Sequence, residues 1–157
     1  MKPKLTTLAA SIILAGLVAI GPVLRADASP LPAERVQGQV SFITGGIGED
    51  EATAFKNTAA RYPLELLFVQ KARPTDEYLA DVKVTIRDRS GKLLLDTTTE
   101  GPFLLARLPA GKYQIEADND GERKRQSIEI RAGKHQRAVF VWAPRDESEE
   151  PVLSSAK

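Results

Sequence analysis

The feature that most constrains the fold is a series of short apolar segments between residues 81 and 142, separated by turns that contain glycine or proline. Val82, Val84 and Ile86 alternate with polar residues, a pattern that predicts a strand with one buried face. Turn signals follow at spacings of roughly eight to twelve residues, which is typical of antiparallel strands in a sandwich or barrel. We therefore expect the second half of the chain to be mainly β.

The individual segments predict particular strand pairs. Residues 81–87 and 92–99 flank the turn 88–91 and should form a hairpin. A third strand is expected over 103–108. The next is expected to begin at Tyr113, with Tyr113, Ile115 and Ala117 facing inward. After the turn at 118–121, residues 123–131 should place Ile128 and Ile130 inside. Residues 138–142 are apolar on both faces, which predicts a central strand.

The first half of the domain differs because it contains a helical pattern. Val36, Val40 and Phe42 suit a first strand. From Glu49 to Arg61 the apolar spacing becomes helical, with acidic residues in the first turn and Pro63 after the end. One narrow face of this short helix carries Ala52, Phe55, Ala59 and Tyr62. Residues 64–69 are apolar on both faces, so we expect a strand that the helix covers on one side.

Both ends of the chain predict segments outside the folded domain, which we assign to residues 36–142. Residues 1–28 have the form of a signal peptide, with Lys2 and Lys4, an apolar run and the small-x-small triplet 26–28. Cleavage between Ala28 and Ser29 is expected, rather than a retained anchor. Residues 29–35 should form an extended leader, and the acidic residues 143–157 a flexible tail. These features predict a periplasmic or secreted protein without stable membrane insertion.

Composition excludes several function classes. Removal of residues 1–28 lowers the basic residues from 22 to 19 and the acidic ones from 21 to 20, so the expected mature chain is nearly neutral. A general nucleic-acid binder needs a pronounced basic excess, and we predict no nucleic-acid partner. The chain has no cysteine, which rules out disulfides and thiol catalysis. Its stability must therefore come from an apolar core.

Several of these segments together resemble the carboxypeptidase regulatory-like family. The resemblance covers roughly residues 64–142, and its most specific part is Gly101–Tyr113, with Gly101-Pro102-Phe103 followed by Leu108-Pro109-Ala110-Gly111-Lys112-Tyr113. It implies an antiparallel, seven-stranded Greek-key β-sandwich of the prealbumin or transthyretin-like type, also called starch-binding-like. The short helix at 49–61 departs from the family's pattern. Members of the family are mostly noncatalytic binding or spacer modules, and this chain is expected to be one.

The residues that most often carry chemistry are sparse. His135 is the only histidine, and a zinc site usually needs several histidine or cysteine ligands, so we expect a solvated loop residue. The segment 118–121 opens like a calcium loop but lacks the alternating ligands and the glutamate at the twelfth position. A hairpin turn is favoured. We predict no catalytic residues, no metal site, no cofactor and no enzymatic activity.

There are two positive candidates. The glycine-rich segment 45–51 could cradle an anion but is favoured as a strand-to-helix turn, because three acidic residues open the helix. The polar loop from Gln70 to Tyr78 is long enough to present a binding surface. Trp142 forms an aromatic platform with Tyr78 in one interpretation, and belongs to the core in the interpretation that we favour. We expect a module that binds a protein or surface component of the cell envelope. A carbohydrate-binding module, with a polysaccharide as its ligand, is the alternative. The candidate surface comprises Lys71, Arg73, Asp76, Glu77, Tyr78 and Trp142.

Overall fold

The structure, a computed structural model, describes residues 31–144. The proposed signal peptide and all of the proposed tail after Pro144 lie outside these residues. Ten strands and one α-helix follow each other along the described chain, and a short 3-10 helix, Ala59–Arg61, continues the α-helix. The elements are β1 (Arg35–Gln37), β2 (Val40–Gly45), α1 (Glu49–Thr58), β3 (Leu64–Gln70), β4 (Glu77–Tyr78), β5 (Lys83–Asp88), β6 (Leu93–Thr98), β7 (Phe103–Arg107), β8 (Gly111–Asn119), β9 (Glu122–Ile130) and β10 (Gln136–Trp142).

The strands form two sheets that pack face to face. The larger sheet has the order β1-β2-β7-β3-β10, and β4 pairs with the end of β3. The smaller sheet has the order β6-β5-β8-β9, with all neighbours antiparallel. The main core lies between the sheets and includes Leu66 and Phe68 from one sheet with Ile86 and Ile115 from the other. The predicted mainly β fold with one short helix is confirmed.

The helix forms a third layer on the outer face of the larger sheet. Glu49, Asp50 and Glu51 lie in its first turn, where carboxylates interact favourably with the helix dipole. The Glu51 carboxylate also accepts a hydrogen bond from the backbone N–H of Ile47 at 3.1 Å. Phe55 is fully buried and stacks on Phe103 with 5.6 Å between ring centroids. No helix within residues 31–144 is long and apolar enough to cross a membrane.

The helix and the smaller sheet bury opposite faces of β3. Leu64, Leu66 and Phe68 point into the main core, whereas Leu67 and Val69 pack beneath the helix in a second cluster. Successive side chains of a strand point to opposite faces, so a strand that is apolar at nearly every position needs a cover on both. The prediction that the helix covers one face of this strand is confirmed, as is its apolar helical face.

Three details of the sheets differ from the sequence predictions. The first strand is a hairpin, β1 and β2, because Gly38 turns the chain with a positive φ of 59° and leaves Val36 72% exposed. Strand β10 pairs with β3 in parallel, so the sheets are not wholly antiparallel. Strand β10 is also an edge strand and not a central one. The apolar pattern of residues 138–142 does not distinguish an edge strand from a central one, because Val139 and Val141 are apolar and yet each is 39% exposed.

The corner from Pro109 to Tyr113 is closed by the tyrosine side chain. Tyr113 enters the core, and its hydroxyl donates a hydrogen bond to the Pro109 carbonyl at 2.8 Å. Gly111 does not adopt a positive φ, so the turn does not require glycine for its backbone conformation. A Cβ at this position would lie 3.3 Å from the Tyr113 hydroxyl. Glycine is therefore suited to residue 111 by the close passage of the tyrosine ring.

Gly101 brings two backbone segments of the larger sheet into contact. A Cβ at this position would lie 2.4 Å from the carbonyl oxygen of Gly45 and 2.5 Å from its carbonyl carbon. Neither atom belongs to a side chain that can rotate away. The glycine therefore permits the chain to pass close to the end of β2 before it enters β7.

Substitution of Gly101 by alanine should destabilise the fold strongly, by about 3 kcal/mol, because the added methyl group must separate backbone segments. Gly133→Ala is the matched control, since its φ of 69° is strained for alanine but no atom lies within 4 Å of the new Cβ. It should cost about 1 kcal/mol. Urea unfolding of both variants measures the difference, and equal midpoints would contradict the role of the close approach.

Candidate functional site

The loop between β3 and β4 is held at both ends by the larger sheet. At its start, the Lys71 N–H donates to the Trp142 carbonyl at 2.9 Å, which continues the ladder between β3 and β10. At its end, β4 pairs with β3, and the Leu79 N–H donates to the Phe68 carbonyl at 3.1 Å. The loop includes a cis peptide bond between Arg73 and Pro74. Its two ends are therefore positioned by the backbone of β3.

An ion pair crosses the loop from one end towards the other. The Lys71 ammonium lies 2.6 Å from a carboxylate oxygen of Asp76, and both side chains are about half exposed. The hydrogen bond from Lys71 is the main cause that lowers the pKa of the Asp76 carboxyl, and the ammonium charge adds to it. Asp76 is therefore ionised at neutral pH, and the pair restricts the conformations of the loop.

Tyr78 is the large exposed hydrophobic side chain at the end of the loop. Its side chain is 58% exposed, and among residues 31–144 it is the only aromatic residue in the set of exposed large hydrophobic side chains. The ring centroid lies 6.2 Å from that of buried Phe103, so one part of the ring is supported by the fold. With Lys71, Arg73, Asp76 and Glu77 it forms a surface, here called the loop surface, whose members are all exposed.

Trp142 does not belong to this surface. It is 1% exposed, and its indole N–H donates to the Glu122 carbonyl at 3.0 Å. Trp142 is paired with Gln70 and Tyr78 with Val69, and neighbouring residues of β3 point to opposite faces. The two aromatic rings therefore lie on opposite sides of the sheet. An aromatic platform of Trp142 and Tyr78 is excluded, and the favoured interpretation of Trp142 as core is confirmed.

His135 is an exposed loop residue, as predicted, and its ring is also hydrogen-bonded to the fold. Its Nδ1 lies 2.8 Å from the Tyr62 carbonyl oxygen, and its Nε2 lies 3.0 Å from a carboxylate oxygen of Glu65. Glu65 is 6% exposed and also bonds to Arg137 at 3.2 Å. Both ring nitrogens therefore lie at hydrogen-bond distance from oxygen atoms of the fold, and the ring joins the loop before β10 to Tyr62 and Glu65.

The segment 118–121 is a hairpin turn, as predicted. Asp120 and Gly121 have positive φ values of 51° and 91° between the paired residues Asn119 and Glu122. The Asp118 carboxylate accepts hydrogen bonds from the Gly121 N–H and from Arg123, and the bond from Arg123 is the main cause that lowers its pKa. Within residues 31–144, no group of three or more potential ligands could hold a metal ion.

Sequence reasoning missed a pair of partly exposed valines on β10. Val139 and Val141 are each 39% exposed and lie beside Leu67 and Val69, on the sheet face that carries the helix. Their apolar character was visible in the sequence but was attributed to a central strand. The structure instead gives this edge strand an accessible apolar side.

Loss of the Lys71–Asp76 pair should loosen the loop surface. In Asp76→Asn we expect lower backbone order parameters over residues 71–77 at pH 7, because the charge-assisted bond is gone. Folding lowers the pKa of Asp76, so the wild-type restraint is present above the ordinary aspartate value, about 3.9, and is lost as the pH falls through the folded value. The two proteins should therefore converge in acid when compared by ¹⁵N NMR relaxation.

Glu77→Gln serves as the control, since Glu77 makes no ion pair within residues 31–144. It should leave the order parameters of residues 71–76 at the wild-type level. Unchanged order in Asp76→Asn at pH 7 would show that the ends of the loop, and not the ion pair, hold its conformation.

Comparisons with known proteins give this loop no assigned role. No family model matches the chain, and no curated protein matches it. The TIE protein of Bacillus anthracis, a solved structure, is similar over 51% of this chain with 17% identity and a TM-score of 0.37. The similar part spans 16% of that protein. A likeness at this TM-score does not establish a shared fold.

Proposed function

We propose that this chain is an exported, nonenzymatic module that binds a protein or other surface component of the cell envelope through the loop surface. The observation that carries this proposal is the exposed Tyr78 on a loop anchored at both ends. Exposed tyrosine side chains are frequent binding hot spots, because they offer a large apolar area at a low conformational cost. A loop that is already ordered loses less entropy when a partner binds.

The absence of catalysis is part of the same proposal and rests on the described chemistry. The ring nitrogens of the one histidine lie at hydrogen-bond distance from the Tyr62 carbonyl and the Glu65 carboxylate. The ionised Asp76, Asp88 and Asp118 each form hydrogen bonds within the fold, and these bonds lower their pKa values. A general acid or base usually has a pKa moved towards neutrality, which is the opposite shift for a carboxyl group. These groups suit structural roles.

Export and family also belong to the proposal. The signal-like sequence of residues 1–28 supports a periplasmic or secreted location. The two packed sheets and the Tyr113 corner support kinship with the transthyretin-like, carboxypeptidase regulatory-like modules. The finer part of this proposal is that the sheets correspond to the seven-stranded Greek-key sandwich of that family, with the helix as an addition.

A carbohydrate ligand is the alternative, and Tyr78 is the residue that favours it, since a sugar ring can stack on an exposed aromatic face. Extended sugar platforms use several aromatic rings. The other aromatic residues within residues 31–144 are largely buried. The geometry therefore supports a protein or mixed surface component over a polysaccharide.

Replacement of Tyr78 by alanine should weaken partner binding by about 2 kcal/mol, roughly 30-fold, if the ring is a hot spot. The partner is first identified by brief crosslinking of the protein, expressed with its own N-terminal segment, in an envelope extract of its host. Binding of the purified partner is then measured by calorimetry for the wild type and for Tyr78→Ala.

Leu93→Ala is the matched control, since Leu93 is 41% exposed on β6 of the other sheet. It should bind like the wild type. Equal binding of the Tyr78 and Leu93 variants would remove the loop surface from the proposal. Retention of polysaccharide alone, with binding lost in Tyr78→Ala, would establish the carbohydrate alternative.

A further inference from the structure

Apart from the two-residue β4, the two sheets have four edge strands, and three of them carry features that discourage further strand pairing. Strand β1 is only three residues long. Strand β6 contains a register shift opposite Ile86 and Arg87, and its Asp96 N–H is occupied by the Gln37 side chain at 2.9 Å. Strand β9 carries charged side chains along its length, among them Arg123 and Arg125 in ion pairs with β8. Short edges, irregular pairing and charge are the usual means of protecting an edge.

Strand β10 is the fourth edge, and it is long, regular and apolar. Its seven residues pair with β3 without a register shift. The Gln136 N–H and the Trp142 carbonyl bond to the β3 side, so the backbone groups of Arg137, Val139 and Val141 point away from the sheet. No strand within residues 31–144 pairs with that side. The side chains of both valines are accessible along the same edge.

Within residues 31–144, one side chain forms a hydrogen bond with these outward backbone groups. Gln126 of β9 donates a hydrogen bond from its side-chain amide to the Val139 carbonyl at 2.9 Å. Around it, a polar groove of about 280 Å³ separates the open edges of β9 and β10. A carbonyl oxygen has two lone pairs, so Val139 can accept a second bond without displacing Gln126.

The charge at one end of β10 indicates the chemistry of an added strand. The segment 129–137, which connects β9 to β10, contains three cations, Arg131, Lys134 and Arg137, against one anion, Glu129. Arg137 also pairs with Glu65 of β3, so one net positive charge remains at this end. The side chains of Arg131 and Arg137 are 68% and 52% exposed. A strand beside β10 therefore meets two valines along its length and a positive end near Arg137.

We propose that the free edge of β10 binds an extended polypeptide segment of a partner protein by strand addition. The segment lies antiparallel to β10, the more stable pairing per residue. It presents small apolar side chains opposite Val141 and Val139 and a carboxylate opposite Arg137. This site is separate from the loop surface. It lies beyond β10, at the opposite edge of β3 from β4, and it uses backbone groups instead of Tyr78.

The chain's own C-terminal residues and a second copy match this edge less well. An antiparallel segment that returns along β10 needs its apolar residues before its carboxylate, whereas in the sequence the acidic residues 146–150 precede Val152 and Leu153. Two copies of β10 paired about Val139 place Arg137 of each beside a valine of the other. Neither arrangement places a carboxylate opposite Arg137.

The test is an NMR titration of the full chain, expressed with its own N-terminal segment, with the peptide acetyl-TVTVTET-amide. Its valines and glutamate match Val141, Val139 and Arg137 in the antiparallel register. We expect saturable shifts of these three backbone amides at submillimolar peptide. Methylation of the valine nitrogens should abolish binding, because these N–H groups face β10, whereas methylation of the threonine nitrogens should not.

Val139→Lys should weaken the affinity for the peptide by about tenfold or more, since it places a charge beside Val141 on the apolar side of the strand. Leu93→Lys, on the other sheet, should bind like the wild type. Tyr78→Ala should also retain the peptide, which separates this site from the proposed loop function. No amide shift at millimolar peptide, or equal binding of both methylated peptides, overturns the proposal.

Two controls test the competing occupants. Concentration-dependent shifts of the same amides in the absence of peptide, with a doubled mass in sedimentation, would assign the edge to a second copy. Shifts of these amides on deletion of residues 145–157 would assign it to the C-terminal segment. Either result overturns the proposal, and unchanged spectra in both controls leave the edge open for a partner.

Discussion

The constraint on which the rest of the structure depends is the burial of β3 on both faces. Leu64, Leu66 and Phe68 need an apolar cover on one side, and Leu67 and Val69 on the other. A single pair of sheets satisfies only the first set. The helix supplies the second cover through Phe55, which stacks on Phe103 of the neighbouring β7. The helix is thus part of the core, because without it the apolar outer face of the larger sheet would be open to water.

Both open sides between the sheets are bridged by a glutamine that reaches from one edge strand to the backbone of the opposite one. Gln37 of β1 accepts the Asp96 N–H of β6, and Gln126 of β9 donates to the Val139 carbonyl of β10. An amide side chain can satisfy either kind of backbone group, which suits it to this role. The two sides differ in what surrounds the bridge. The β1–β6 side joins a short strand to an irregular one, whereas the β9–β10 side retains a regular apolar edge.

Local chemistry predicted much of this fold, and the failures have a common cause. Alternation identified the inward faces of β5 and β8, and the acidic first turn with Pro63 located the helix, because these signals act within a few residues. Pairing partners are not local. The parallel pairing of β10 with β3 joins strands about 70 residues apart, and nothing in residues 136–142 distinguishes a buried outer face from one at an edge. Likewise, the glycine at residue 101 is explained only by Gly45, which lies far away in the sequence.

The candidate site shows the same division between local and distant information. The polar composition of residues 71–77 identified a surface loop, and the structure adds the Lys71–Asp76 pair that orders it. Composition alone allowed Trp142 and Tyr78 to form one aromatic platform. Their pairing with the adjacent residues Gln70 and Val69 sends them to opposite faces, so a shift of one residue in register decides whether two aromatic rings share a surface. The large hydrophobic side chains that remain exposed at this end of the sheet are Tyr78 and Val141, which flank Val69 on one face and lie at opposite edges of β3. The two binding sites that we propose at this end therefore use single side chains and backbone groups, not a composite aromatic surface.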